Sequence, residues 1–145
     1  MLQYATFISL IFLSIRFPKS KVLIFLNSLF IWILLVFNYQ RPDYISYLNR
    51  YNSAYIGDEI GYTFLCFIFR YFGFDFIYMI GFITFFNLVL LYLIYQRLTD
   101  KIALAIALYM ANSFYDLIQI RNFTMTTIVL YCMKFLEKNG WGGER

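Results

Sequence analysis

FIYMIGFITFFNLVLLYLIYQ, residues 76–96, runs for about 21 positions without a charge. At 1.5 Å per residue a helix of that length reaches ~31 Å, the thickness of the hydrocarbon core of a bilayer. The segment therefore predicts a transmembrane helix, and the composition says that it does not stand alone. Hydrophobic residues make up 62% of the 145, aromatics 23% and charged residues only 14%, with a mean hydropathy of +0.67. A soluble domain of this size needs more polar surface to cover its core. The expected fold is all-α, a polytopic integral membrane helical bundle.

Upstream, Leu2–Ile15 is apolar with no positive charge before it and no small-residue cleavage pattern after it, so it reads as a short first span and not as a cleaved signal. Arg16–Lys21 is a basic turn in which Pro18 stops that helix, and Val22–Asn38 gives a second span of about 17 uncharged residues. Downstream, Arg97–Lys101 is a tight turn and Ile102–Ile120 a further span interrupted by Asp116. Arg121-Asn122 makes a corner, and Phe123–Leu136 returns with Lys134 placed to snorkel. Residues 1–136 thus form a transmembrane domain, and 137–145 a disordered, glycine-rich polar tail. No internal repeat and no soluble domain is visible.

The longest polar interval lies between the second span and residue 76. Pro42 suits the first position of a helix and Asp43 its first turn, while Tyr44, Tyr47, Leu48, Tyr51 and Tyr55 recur at helical spacing with Arg50 off that face. This predicts a short amphipathic helix on the membrane surface. Ile60–Phe72 is apolar, but its 13 residues cover only ~20 Å of a ~30 Å core, so it is expected to be re-entrant or interfacial. With that segment not crossing, all five lysines plus Arg16, Arg97 and Arg145 fall on one side, and Arg41, Arg50, Arg70 and Arg121 on the other. Basic residues collect on the cytoplasmic side, which gives about five spans with the N-terminus outside.

Several chemistries are excluded. The chain has no histidine, so imidazole catalysis and His-rich metal sites are absent, and no cofactor is expected. Cys66 and Cys132 sit in apolar runs without CxxC spacing, which indicates neither a disulfide framework nor a zinc site. The net charge of +4 is scattered between hydrophobic segments and forms no stripe for nucleic acid. Gly57 and Gly61 straddle a helix start and so make a poor dimerisation motif. Asn87 and Asn112 are expected to hydrogen-bond between helices, and Asp116, an acid in an apolar run, is a functional candidate by default.

Asp43-Tyr44 with Tyr47 three residues on, Glu59 opening the next hydrophobic helix, and Ile120-Arg121-Asn122 much later form a pattern that resembles the EpsG family of bacterial exopolysaccharide proteins, over roughly Ile31–Leu136. The resemblance implies a multi-pass protein of the bacterial inner membrane that acts in exopolysaccharide and capsule assembly, polymerase-like, joining lipid-linked sugar units at the outer face. Asp43, Tyr44, Tyr47, Glu59 and Arg121 match the family pattern. The chain departs from it after Arg121, where Asn122-Phe123-Thr124-Met125 replaces the usual Gln and small residues. It is also less than half as long as family members, so it is expected to correspond to their N-terminal half, either as a working part of such an enzyme or as an inactive fragment that binds without catalysing.

The residues themselves allow two readings. Arg41, Arg70 and Arg121 suit the pyrophosphate of a polyprenyl-linked sugar, because a guanidinium fork binds phosphate bidentately; equally, they pair with Asp43, Asp75 and Asp116 or meet lipid headgroups. Asp43 and Glu59 are the candidate catalytic carboxylates for deprotonating a sugar hydroxyl, and equally suit helix starts. Both are expected to converge with Arg121 at the outer end of the bundle. Tyr44, Tyr47, Tyr51, Tyr55 and Tyr62 suit sugar stacking or an interfacial aromatic belt. The expected partners are a lipid-linked sugar, membrane lipids and other polysaccharide-assembly proteins. The competing reading is a non-enzymatic scaffold or small transport subunit whose Arg and Asp residues line a pathway.

Overall fold

A computed structural model describes residues 2–37, 42–53, 60–116 and 120–138. Seven helices and no strand occur among them: α1 Leu2–Arg16, α2 Lys21–Phe37, α3 Pro42–Ser53, α4 Ile60–Tyr71, α5 Phe76–Leu98, α6 Ile102–Asp116 and α7 Ile120–Lys138. The all-α expectation holds. One boundary is corrected: Arg121-Asn122 is not a corner but belongs to the opening turn of α7, since neither proline nor glycine lies between Asp116 and Phe123 to stop a helix. α7 also continues two residues beyond Leu136.

The turns follow from local chemistry. Pro18 ends α1, and Ser20 caps α2: its carbonyl accepts from the Ile24 N–H at 3.1 Å and its hydroxyl from the Leu23 N–H at 3.5 Å. α4 closes on Gly73, whose φ of 71° a side chain would resist. There the Phe74 N–H donates to the Phe69 carbonyl and the Gly73 N–H to the Arg70 carbonyl, each at 2.9 Å, the paired bonds of a Schellman ending.

Two apolar clusters hold the helices. One joins Leu10 of α1, Ile31 and Leu35 of α2, Leu88 and Leu91 of α5, Ile106 of α6 and Phe123 of α7. The other, around Val36, Tyr51, Cys66, Phe76, Met79 and Ile80, forms where α3 and α4 meet the start of α5. Direction along the bundle is set by side-chain pairs. Asn87 bonds Thr124 at 2.7 Å and Arg97 lies over the Tyr131 ring at 5.5 Å, so α5 and α7 run parallel. The Tyr109 ring of α6 stacks on Phe123.

Large apolar side chains also face outward. The buried polar side chains among the described residues are Ser14, Asn27, Thr84, Asn87 and Thr127, while Phe12, Phe25, Phe64, Phe67, Phe85 and Val129 are exposed. Between helices in lipid, polar bonds add to the close packing of the apolar clusters. Asn27 Nδ2 donates to Ser14 Oγ at 2.9 Å and to the Ala103 carbonyl at 3.1 Å, tying three helices together. Among the described helices α5 alone is both long and apolar enough to cross a membrane, and only 44% of its apolar window is buried. A core helix of a soluble domain would be covered on all sides.

Candidate functional site

α3 and α4 lie side by side across the start of α5. The reason is the spacing of tyrosines in α3. Tyr44 and Tyr51, seven residues apart and therefore on one helix face, both pack against Phe76, with ring centroids 5.3 and 5.5 Å away. Tyr47 on the same face meets Tyr62 of α4 at 5.1 Å, and the Tyr62 hydroxyl donates to the Tyr47 carbonyl at 2.8 Å. The Tyr51 hydroxyl donates to the Phe74 carbonyl at 2.5 Å. Both ends of α4 therefore touch α3, through Tyr62 near one end and Arg70 near the other. Deeper contact with α5 is confined to Cys66 against Met79 at 3.9 Å and Phe69 against Phe82 at 5.7 Å, within the first two turns of α5.

The described charges in this layer are Arg50, Arg70 and Asp75. The Arg70 guanidinium stands over the Tyr51 ring at 6.0 Å and Arg50 over Tyr47 at the same distance. Arg70 is half-buried and forms no ion pair among the described residues, so the alternative pairing with Asp75 is not made. Burial pushes the Tyr51 phenol above its ordinary pKa; the Cys66 thiol and Asp75 add to this and the Arg70 guanidinium opposes it. Tyr51 is thus a neutral donor fixed under a cation, and an aromatic face under a guanidinium holds it without neutralising it. Such a group keeps its charge for an incoming anion.

The predicted residues are distributed as follows. Tyr44, Tyr47 and Arg70 come together in this layer. Pro42 and Asp43 open α3 as expected, but the Asp43 carboxylate, Arg41, Tyr55 and Glu59 lie outside the described residues. The Arg121 backbone is in the first turn of α7, and the side chains of Arg121, Asp116 and Asn112 are also outside them. α7 meets α5 at Asn87, whereas α4 meets it at Met79 and Phe82, so Arg70 and Arg121 belong to helices packed at different positions on α5. By register, the Arg121 turn lies level with Thr84, roughly 12 Å along α5 from Phe76. Among the described residues no cluster of His, Cys, Asp or Glu could hold a metal ion.

The family model described as EpsG family matches residues 21–142, which is most of the chain. The chain belongs to the EpsG family. It is therefore a membrane protein related to exopolysaccharide biosynthesis. No curated protein and no solved structure matches it. The EpsG match takes in α2 through α7, reaching beyond Ile31–Leu136 at both ends, so the α3–α4 layer and the start of α7 both fall within the EpsG region.

Sequence reading missed two features of this EpsG chain. Tyr51 and Tyr62 spend their hydroxyls on backbone carbonyls, which makes them anchors of α3. Trp32 donates from its indole nitrogen to the Gly81 carbonyl, a bond between α2 and α5 whose acceptor no sequence pattern marks. Asn87 was foreseen as an interhelical donor and is one.

Proposed function

We propose that this EpsG protein takes part in polymerising, or transferring, lipid-linked sugar units at the outer face of the bacterial inner membrane. The observation that supports the reading is the α3–α4 layer, an aromatic shelf on which Arg70 stands over the Tyr51 ring with no ion pair among the described residues. The proposed topology has five spans, α1, α2, α5, α6 and α7, with α3 on the surface and α4 re-entrant or interfacial. The contacts of both ends of α4 with α3 support the last point.

In this reading Arg41, Arg70 and Arg121 hold the pyrophosphate, and Tyr44 and Tyr47 present apolar faces to sugar rings. A hydroxyl oxygen of the acceptor bonds to the anomeric carbon as the bond from that carbon to the phosphate oxygen breaks. The proton passes to Asp43 or Glu59, and the pyrophosphate departs on its lipid with the bonding electrons. The arginines stabilise charge that grows on the leaving group, which is where electrostatic catalysis acts. No metal or cofactor is needed for this scheme.

The test is polymer formation in cells depending on this gene, with Asp43→Asn and Glu59→Gln expressed at normal membrane levels. One of the two is expected to abolish polymer. Full polymer in both removes the catalytic role and leaves the scaffold reading, which the structural use of the Tyr51 and Tyr62 hydroxyls favours.

A further inference from the structure

At the opposite end of the bundle, two turns distant in sequence are stitched together. The Ala103 N–H, at the start of α6, donates to the Pro18 carbonyl in the α1–α2 turn at 3.0 Å, and the Ala103 carbonyl accepts from Asn27. Lys19 follows Pro18 and Lys101 is two residues from Ala103, so that one backbone bond sets the two lysines beside each other. Arg16 and Lys21 flank the same turn, and Arg97 lies at the end of α5. All five are exposed, none forms an ion pair among the described residues, and Asp100 is the one acid in these two turns. The flanks below them are apolar and open: Phe17, Val22 and Phe25 are each more than half exposed.

We infer that this corner is a docking site for the phosphate of an anionic phospholipid. Charge complementarity selects the headgroup, because Arg16, Lys19, Lys21 and Lys101 around one fixed corner attract a phosphate with a net charge and gain little from a zwitterion. The open faces of Phe17, Val22 and Phe25 suit the acyl chains, which a soluble anion lacks. The stitched backbone supplies the rigidity: because Pro18 and Ala103 hold the turns in register, the lysines need not be gathered when the lipid arrives. The inference concerns the end of the bundle away from the α3–α4 layer and does not depend on the sugar-transfer reading.

The test uses the purified full chain in phosphatidylcholine vesicles doped with spin-labelled phosphatidylglycerol or spin-labelled phosphatidylcholine. Association with the labelled anionic lipid is expected to exceed that with the zwitterionic one by about fivefold or more at low salt, and to fall as sodium chloride screens it. Lys19→Gln alone is expected to weaken the preference, and the triple change Lys19→Gln, Lys21→Gln, Lys101→Gln to abolish it with helix content unchanged by circular dichroism. Arg50→Gln with Arg70→Gln, at the other end, is expected to leave it intact. Equal association of the two lipids, or a preference that survives the triple change, overturns the inference. Loss of the preference on adding millimolar inorganic phosphate at constant ionic strength also overturns it, because the site would then take a soluble anion.

Discussion

The indole nitrogen of Trp32 donates to the backbone carbonyl of Gly81 across 2.9 Å, binding the second helix to the first third of the fifth. A methyl at Gly81 would meet Trp32 Cζ2 at 3.4 Å and Val36 Cγ2 at 3.9 Å, which is ordinary contact. Gly81→Ala is therefore expected to be neutral or stabilising by up to about 1 kcal/mol, since alanine favours the helix. Gly81→Leu pushes α2 away and is expected to cost about 1–3 kcal/mol. Thermal unfolding of the two variants in one detergent checks the pair.

Two threonines are expected to respond with opposite signs to the same substitution. Thr127 Oγ1 bonds the Phe123 carbonyl at 2.9 Å and Asn87 Oδ1 at 3.3 Å, whereas Thr84 Oγ1 is buried without a partner among the described residues. Replacing Thr84 by the isosteric valine removes an unsatisfied hydroxyl and is expected to stabilise by about 1 kcal/mol or more. Thr127→Val leaves Asn87 Oδ1 without that donor and is expected to destabilise by about 0.6–1.7 kcal/mol, the range for interhelical polar contacts in membranes. A stability loss in both, measured by the same unfolding assay, would contradict the account of Thr84.

Docking of α3 is expected to weaken in alkali. Burial raises the Tyr51 pKa above the 10.0 it has when undocked, so the neutral phenol is the form that the docked helix prefers. A raised folded-state pKa gives a contribution that is complete below pH 10 and is lost as pH climbs from there through the higher docked value. Protease cleavage near α3 should therefore be flat with pH up to about 10 and rise above it. Tyr51→Phe, which leaves the Phe74 carbonyl without its donor, should raise cleavage at neutral pH and flatten the alkaline rise.

A guanidinium that grips pyrophosphate does so with two parallel bonds that an ammonium cannot copy. Arg121→Lys is accordingly expected to shorten surface polysaccharide nearly as much as Arg121→Ala, and Arg70→Lys to do the same. Chain length on complemented cells, at matched membrane abundance, is the measurement. Wild-type length in the lysine variants would reduce both arginines to charge balance.

Topology gives the fifth expectation. Single cysteines at positions 47 and 70 should react with an impermeant thiol reagent on intact cells, and those at 19, 101 and 138 should not. Labelling at 101 from outside would dismantle the five-span arrangement.

The all-α architecture was readable because uncharged apolar runs such as residues 76–96 announce helices by length, and because Pro18 stops α1 for a local reason. The amphipathic α3 was readable for the same kind of reason, its tyrosines recurring at helical spacing. What the chain order concealed was the partnership of α3 with α4: Tyr47 meets Tyr62 and Tyr51 meets Phe74 through backbone carbonyls, acceptors that every residue carries and no sequence pattern marks. The α6–α7 boundary was misplaced because Arg121-Asn122 looks like a corner by polarity, although both residues fit a first helical turn. Of the candidate site, Arg70 was legible as a charge, but its seat over Tyr51 and its freedom from Asp75 depend on tertiary geometry.

The corner at Gly73 also works as a timing element. Arg70 lends its own carbonyl to that corner, so the angle at which its side chain leaves α4 is fixed relative to the first turn of α5. One residue inserted between Tyr71 and Phe76 would break the paired bonds of this corner, shift α4 relative to α5 and carry Arg70 off the Tyr51 ring, although no side chain in the layer had changed. The length of this short connection therefore acts as a gene-level setting for where the positive charge points, and one codon gained or lost there would retune the shelf without touching its chemistry.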